Sequence, residues 1–215
     1  MIDYITANQT LILAALNQHV MLALLPVVFG IIIALPLGYV AVRYNWLYHP
    51  LLNLSGLIYA VPSIALFMVL PSILGTKILS PINIVVGLTL YTVALLVRVV
   101  ADGLKSVDPT VTQAATAMGY RRVRRLFGVE LPIALPVMLA GVRVATVSNI
   151  SLVSVGALIG VGGLGALFTR GLQLRYVDPI IVGIVLSVLL ALLCDLVIVL
   201  IQRRFTPWSR AGGRA

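Results

Sequence analysis

Long stretches without a charged side chain are the feature that most limits how this sequence can fold. Residues 20–42 form a run of 23 uncharged residues before Arg43, and residues 78–97 form a run of 20 before Arg98. A helix of about 20 apolar residues crosses the hydrocarbon core of a bilayer. The runs are too long, and alternate too little between apolar and polar residues, for the strands of a membrane barrel. The sequence therefore predicts an all-α membrane protein.

Five such runs predict five transmembrane helices, which we place in a single transmembrane domain over residues 1–215. The chain is 61% hydrophobic and 10% charged, whereas about 25% of the residues in soluble domains are charged. A soluble globule of this length could not bury that much apolar surface, so a soluble enzyme is excluded. The predicted helices cover about residues 20–42, 52–72, 80–101, 136–157 and 179–202, and Pro62 is expected to kink the second.

The positions of the basic residues predict the orientation of these helices, because Lys and Arg concentrate on the cytoplasmic side of membrane proteins. If the long 102–135 segment is cytoplasmic, an odd number of helices places the N-terminus outside and the C-terminus in the cytoplasm. Eleven basic residues then lie inside and three outside. The inside set is Arg43, Arg98, Lys105, Arg121, Arg122, Arg124, Arg125, Arg203, Arg204, Arg210 and Arg214, and the outside set is Lys77, Arg170 and Arg175.

The net charge of +9 would also suit a nucleic-acid-binding protein. Such proteins carry their positive charge on one face of a folded soluble domain, and this chain contains no such domain. The surplus charge is better explained by the positive-inside distribution. We therefore expect membrane lipid, and no nucleic acid, among the partners of this chain.

The 102–135 segment is the most polar part of the chain and predicts two short helices. Asp108 followed by Pro109 is a favourable helix start, with Asp as N-cap and Pro in the first helical position. Gly119 is expected to end this helix, and a second helix over about 121–129 is expected to break at Leu131 and Pro132. The arginines between 121 and 125 either surround a docking site for another protein or face anionic lipid, to which basic clusters beside a membrane are attracted.

The same segment resembles a motif of ABC-importer permeases. That motif reads Glu-Ala-Ala, three residues, Gly, nine residues, Ile-x-Leu-Pro, and this sequence has the same spacing with Gln113 in place of Glu and Val129 in place of Ile. In that family the segment is the coupling helix, which sits in a groove of the ATPase subunit. The resemblance implies a coupling set of Gln113, Ala114, Ala115, Gly119, Arg121, Arg122, Val129, Leu131 and Pro132.

The resemblance extends over nearly the whole chain and implies a type I ABC-importer permease fold in the bacterial cytoplasmic membrane. The segments at 61–67, 129–136, 141–146 and 157–165 are similar to the osmoprotectant branch, whose members import glycine betaine, carnitine and choline. Permeases for methionine are built similarly, so methionine or another small solute is the alternative. The implied partners are two ATP-binding subunits, a second permease subunit, identical or similar, and a separate extracytoplasmic solute-binding protein.

No catalytic site of its own is expected in this chain. The only lysines are Lys77 and Lys105, and neither lies in the glycine-rich phosphate-binding motif that precedes a Walker lysine. The histidines, His19 and His49, are isolated, so no metal or other cofactor is expected. ATP hydrolysis would belong to a partner subunit. A transporter driven by an ion gradient and a membrane scaffold are the rival functions, but only one acid lies well inside a predicted span.

That acid, Asp195, has a basic counterpart in Arg143, and the two are predicted to pair. Arg143 is seven residues from Pro136 and Asp195 eight from Arg203, so both lie about 10–12 Å from the cytoplasmic ends of their helices. Charges inside a membrane are costly and usually pair or face a cavity. The alternative is that Arg143 extends to the membrane surface while Asp195 is neutral.

The solute path is expected to be polar and uncharged, and aromatic faces attract quaternary ammonium groups. The candidate residues are Tyr59, Ser63, Tyr91, Asn149, Ser151 and Ser154, although each tyrosine could equally be a core residue. Glycines after the fourth span are expected to break that helix. They border the external gate in the resembled family, or else provide close helix packing. These glycines are Gly160, Gly162, Gly163 and Gly165.

Overall fold

The structure, a computed structural model, describes residues 1–210, and for residues 209 and 210 it describes only the backbone. Within that range it contains helices and no strands, which confirms the all-α prediction. Arg214, one of the basic residues predicted on the cytoplasmic side, lies outside the described residues. The α-helices are α1 (Ile2–Ala7), α2 (Gln9–Arg43), α3 (Asn45–Ala60), α4 (Ser63–Leu74), α5 (Pro81–Lys105), α6 (Pro109–Ala117), α7 (Arg122–Arg125), α8 (Leu131–Gly156), α9 (Gly165–Leu174) and α10 (Val177–Phe205).

Four continuous helical stretches of the described chain are long and apolar enough to cross a membrane. They are α2, α5, the stretch Arg122–Ile159 that includes α8, and α10. The bent pair α3 and α4 supplies a fifth span if it is counted as one. Several of these helices extend beyond the predicted ranges, and the added part of α2 includes the apolar residues 11–16. Thus α2 starts at Gln9 rather than near residue 20.

The predicted continuous helix over residues 52–72 is wrong. The chain breaks at Val61 and Pro62, and the axes of α3 and α4 differ by 101°. Proline has no N–H to donate and restricts the residue before it to extended conformations. Val61 accordingly has φ −64° and ψ 131°. Pro62 therefore separates two helices instead of kinking one.

The predicted break at Leu131 and Pro132 is also wrong. One π-helical turn, Leu126–Glu130, joins α7 to α8 without interruption. The backbone N–H of Leu131 bonds the carbonyl of Leu126, five residues back. This wider turn shifts the hydrogen-bond pattern just before Pro132, and the helix passes the proline without a break.

The centre of the bundle is the packing of α2 against α5, with α8 alongside. Small residues permit the close approach: a Cβ added to Gly30 would overlap the side chain of Thr92, and one added to Gly38 would overlap Val100. On α8, Gly141 is similarly close to the side chain of Val99. Small residues at helix interfaces are the usual means of close packing in membranes, where the lipid tails are as apolar as the side chains.

Helix α10 has few buried residues, namely Pro179, Val182, Gly183 and Cys194, and it is joined to α8 by an ion pair. Arg143 Nε lies 2.6 Å from Asp195 Oδ1, and Nη2 lies 2.8 Å from Oδ2. The pairing predicted from the sequence is therefore present, with both oxygens of the carboxylate used. Two parallel charge-assisted hydrogen bonds fix orientation as well as distance, so the pair sets how α10 is rotated against α8.

We expect Gly38→Ala to destabilise the protein by about 1–3 kcal/mol, because the added methyl group would force α2 and α5 apart. The matched control is Gly56→Ala in α3, where an added Cβ would meet no atom within 4 Å. The control should leave the free energy of unfolding unchanged or raise it by up to about 1 kcal/mol. Thermal unfolding of the purified variants measures both. Equal destabilisation of the two would contradict the close contact.

We expect Asp195→Leu to lower the melting temperature more than the double variant Arg143→Leu/Asp195→Leu does. The single variant leaves a guanidinium without its partner inside the membrane, whereas the double variant removes both charges. Melting temperatures of the wild type, both single variants and the double variant complete the cycle. Additive losses in the double variant would mean that the two residues act independently.

Candidate functional site

The connecting segment between α5 and α8 forms the first candidate site. Its helix α6 begins as predicted: Asp108 accepts a hydrogen bond from the backbone N–H of Thr110 at 2.7 Å, and Pro109 follows as the first helical residue. The N–H and hydroxyl of Thr110 favour the ionised carboxylate and hold the pKa of Asp108 below its usual value. The end of the bundle that carries α6 and α7 is called the loop end below.

Gly119 ends α6 in the left-handed conformation, with φ +83°. Beyond it the backbone N–H of Tyr120 returns to the carbonyl of Ala115 at 3.1 Å. A side chain at position 119 would meet no neighbouring atom, but it would be strained by this backbone conformation. The glycine of the motif is therefore required by the turn between α6 and α7.

Arg125 ties α6 to the beginning of the long helix. Its Nε donates to Glu130 Oε1 at 2.6 Å, and its Nη1 donates to Thr116 Oγ1 at 2.8 Å. This arginine was not among the residues assigned to coupling by the resemblance. Its signal in the sequence is an acid five residues later, a spacing that joins the two side chains across one wide helical turn.

The assigned coupling residues differ in exposure. Ala115 is buried, whereas Gln113, Ala114, Gly119, Arg121 and Arg122 are exposed. The three residues nearest α8, Val129, Leu131 and Pro132, are partly buried. The assigned coupling residues on α6 and in the turn after it are therefore mostly exposed, whereas those at the start of α8 are partly buried.

Three large apolar side chains in the same segment are more than two-thirds exposed and were missed by the sequence analysis. Met118, Val123 and Phe127 are between 67% and 70% exposed, and all three lie outside the predicted spans. Exposed apolar residues surrounded by charged ones are typical of protein-binding surfaces. The signal available in the sequence was the position of these residues: Val123 lies within the arginine cluster 121–125, and Met118 and Phe127 flank it.

The second candidate site lies at the helix break between α3 and α4. The carbonyl of Val61 has no helical partner there, and the hydroxyl of Tyr91 on α5 donates a hydrogen bond to it. The rings of Tyr59 and Tyr91 meet edge to face, with centroids 5.9 Å apart. Tyr91 is buried at 4% exposure, while Tyr59 is 47% exposed. The buried ring therefore holds the exposed one in place.

Beside Tyr59 a groove of about 620 Å³ runs between α3 and α5. Apolar side chains form most of its wall, together with Ser55, Asn53 and, at one end, Arg98. Its volume is within the range of small-ligand sites, roughly 300–1,000 Å³. Of the predicted path residues, Tyr59 is the one that lines this groove.

Asn149 lines a small cavity together with Tyr59 and Tyr91, and its side-chain amide also joins helices. Its Nδ2 donates to Thr92 Oγ1 at 2.9 Å and to the carbonyl of Ala23 at 3.4 Å, so one amide joins α8, α5 and α2. The other predicted path residues are more dispersed. Ser63 is partly buried at the start of α4, and Ser151 and Ser154 line a separate cavity of about 330 Å³ between α8, α9 and α10. The structure therefore does not bring the six residues together.

The glycines after α8 form a third candidate site at the opposite end of the bundle. Gly160 and Gly163 have φ of +87° and +75°. The chain turns there between a short 3₁₀ turn, Ala157–Ile159, and α9, which starts at Gly165. Space around Gly165 is limited by the backbone of Ser154, and a Cβ at Gly162 would overlap Gln18. Both close packing and left-handed turns therefore account for these glycines.

Gln18 and His19 on α2 clamp this glycine segment, and the sequence analysis missed their role. Gln18 Oε1 accepts from the backbone N–H of Gly163 at 3.1 Å, and His19 Nδ1 accepts from that of Leu164 at 3.1 Å. His19 Nε2 lies 2.9 Å from the carbonyl of Ile150. Since a carbonyl only accepts, Nε2 carries the proton of a neutral, fully buried imidazole. The signal for this contact in the sequence was the adjacent polar pair Gln18 and His19 within a mainly apolar helix.

No cluster of three or more possible metal ligands occurs among residues 1–210. The candidate sites thus consist of an exposed connecting segment between α5 and α8, a groove with an ordered aromatic pair, and a glycine segment bonded to Gln18 and His19.

Comparison with known proteins identifies the family of the chain. Residues 26–207 match the family described as binding-protein-dependent transport system inner membrane component. The osmoprotectant import permease protein OsmW of Salmonella typhimurium is 35% identical over 96% of this chain and 97% of its own. The glycine betaine/carnitine/choline transport system permease protein OpuCD of Bacillus subtilis is 29% identical over 98% and 91%.

Solved structures share the fold. An inward-facing structure of the MetNI methionine ABC transporter has a TM-score of 0.84 at 22% identity, covering 92% of this chain and 97% of that chain. A structure described as an amino acid ABC transporter with histidines has a TM-score of 0.76 at 18% identity, covering 94% and 97%. Type I ABC-importer permeases therefore have this fold. By family match and fold together, the chain belongs to the binding-protein-dependent inner membrane transport components and is a permease subunit of an ABC importer.

Proposed function

We propose that this permease imports quaternary ammonium osmoprotectants such as glycine betaine, carnitine or choline. The observation that carries the proposal is the 35% identity, over nearly the full length of both chains, to a permease named for osmoprotectant import. The relative from Bacillus subtilis, named for glycine betaine, carnitine and choline, supports the same class of solute.

Tyr59 suits the ammonium group of such a solute, and Arg98, which lines the same α3–α5 groove, suits the carboxylate of glycine betaine or carnitine. A quaternary ammonium group has no N–H to donate, so it is recognised by aromatic faces rather than by hydrogen-bond acceptors. Tyr59 supplies an exposed aromatic ring at the groove, and Tyr91 fixes that ring edge to face. Weak attraction of this kind allows a solute to pass without being retained, while an external binding protein supplies the affinity.

In the proposed orientation the N-terminus is outside and the loop end is in the cytoplasm. The positive-inside rule supports this orientation. Contacts at the loop end support it further, since basic residues from distant parts of the chain meet there. Lys105 Nζ lies 3.2 Å from the centre of the Tyr48 ring, and Arg43 lines one cavity with Arg122 and Arg125.

The loop end would be the docking site for the ATP-binding subunits, which would carry out hydrolysis while this chain stays non-catalytic. Exposed Gln113, Ala114 and Met118 offer a flat surface on and next to α6, and the arginines around it offer positive charge. Closure of two ATPase subunits would pull two such segments together. Rigid transmission is supported by the unbroken helix from Arg122 to Ile159 and by the contact of Arg125 with Thr116.

A second permease subunit, identical or similar, would complete the pore, because the α3–α5 groove is open along one side. A separate binding protein would deliver the solute at the end opposite the loop end. The glycine segment 160–165 lies at that end, and we assign it to the external gate. The hydrogen bonds from Gly163 and Leu164 to Gln18 and His19 would hold the gate in one position relative to α2.

We expect cells that express this permease with its partner subunits to take up labelled glycine betaine, carnitine or choline, and not methionine. Uptake should depend on ATP, so it should persist when an ionophore collapses the ion gradients and ATP is maintained. Uptake measurements with the four labelled solutes test this directly. Methionine uptake alone would refute the solute class, and loss of uptake with the ion gradient would favour a secondary transporter.

We expect Gly119→Asp to reduce solute-stimulated ATP hydrolysis at least about tenfold in the reconstituted importer. The Asp side chain here must adopt a left-handed backbone and would add a negative charge to the turn presented to the ATPase, beside its arginines. The matched control is Gly128→Ala in the same segment, where an added Cβ makes an ordinary contact with Tyr120. If the two variants hydrolyse ATP equally well, this segment does not couple transport to hydrolysis.

A further inference from the structure

A polar cavity of about 390 Å³ lies at the loop end, and two residues of its wall, Arg122 and Arg125, belong to the connecting segment. It is bounded by the last turns of α2 and α5 and by the start of the helix that leads into α8. Tyr39, Arg43, Arg122, Arg125 and Glu130 form its polar wall. Its volume is sufficient for a small ligand group.

The charges around this cavity do not balance. Arg125 is neutralised by Glu130, with Nε and Oε1 2.6 Å apart. Arg43 and Arg122 have no carboxylate within ion-pair distance among the described residues. Arg43 lies 5.6 Å from the centre of the Tyr44 ring, a contact that leaves its charge uncompensated. Two positive charges, one from each side of the cavity, therefore lack an anion.

The depth of the cavity indicates what kind of anion it would meet. Arg43 ends the uncharged run of α2, and the uncharged run of α5 ends at Arg98, about two turns before Leu104. Helix ends of this kind lie at the level of the lipid headgroups. Val42 and Leu104 line the cavity together with the arginines. A site with guanidinium groups beside apolar side chains, at this depth, matches the boundary between a lipid phosphate and its acyl chains.

We propose that this cavity binds the phosphodiester headgroup of an anionic phospholipid, with Arg43 and Arg122 as its ligands. Guanidinium groups bind phosphate through paired charge-assisted hydrogen bonds, and the hydroxyl of Tyr39 is an additional donor. A headgroup that carries its own ammonium is disfavoured, since two arginines would repel it. Because Arg43 belongs to α2 and Arg122 to the connecting segment, the bound lipid ties that segment to the membrane helices. The proposal holds whatever the transported solute is.

The test is a titration of the full-length permease in detergent with a fluorescent phosphatidylglycerol. The double variant Arg43→Gln/Arg122→Gln is compared with Arg121→Gln/Arg124→Gln, which removes the same charge from the same end. Arg124 stacks on Tyr120 and does not line the cavity. We expect the cavity variant to bind at least about tenfold more weakly than the control, since charge-assisted bonds to phosphate are lost. Phosphatidylcholine should show no saturable binding to the wild type.

Equal weakening in the two double variants would mean general attraction to a basic surface and would overturn the proposal. Displacement of the lipid by millimolar inorganic phosphate would assign the cavity to a free anion instead of a lipid. If the cavity double variant does not fold, Arg122→Gln alone serves, because this exposed side chain has no ion-pair partner in the described structure to lose. It should weaken phosphatidylglycerol binding about tenfold, and unchanged binding would contradict the site.

Discussion

The close contact between α2 and α5 is the interaction on which the other features depend. In a bilayer, apolar side chains gain little from leaving the lipid, so helices associate where their surfaces fit and where polar groups find partners. Gly30 and Gly38 supply the fit, at Thr92 and Val100. The amide of Asn149 then spans the two helices, by its bonds to Thr92 and the Ala23 carbonyl, and adds α8 to them. The same helix α2 carries Gln18 and His19, which bond the glycine segment, and Arg43, which lines a cavity with the connecting segment.

A second constraint comes from the backbone, since an unpaired carbonyl within the membrane is costly. The break at Val61 and Pro62 creates such a carbonyl, and Tyr91 satisfies it. The same bond positions the ring against which Tyr59 packs. The helix break and the aromatic pair are therefore one feature: the proline frees the carbonyl, the carbonyl orders one tyrosine, and that tyrosine orders its exposed neighbour at the groove.

The features that could be predicted from the sequence are those that depend on the length of apolar runs and on the spacing of motif residues. The all-helical membrane fold, the start of α6 at Asp108 and the family follow from those signals, and the Arg143–Asp195 pair follows from their similar depth. The bend between α3 and α4 was underestimated, because a proline signals a lost hydrogen bond but not whether packing will straighten or separate the two halves. At Pro132 the opposite error occurred: the sequence predicted a helix break, but the π turn before the proline lets the helix continue. The bonds of His19 and Asn149 cross 131 and 57 residues of chain, and no local pattern encodes such distant partners.

The central claim is that the helix break presents an aromatic face to a quaternary ammonium solute. The most direct measurement is ATP-driven uptake of labelled glycine betaine by proteoliposomes containing the complete importer with Tyr59→Phe or Tyr59→Leu. Phenylalanine keeps the ring and its edge-to-face contact with Tyr91, so uptake should stay within about twofold of the wild type. Leucine keeps apolar bulk but removes the ring, so uptake should fall by about two- to thirtyfold, the range of a cation–π contact. Wild-type uptake by the leucine variant, or equal loss in both variants, would contradict the account.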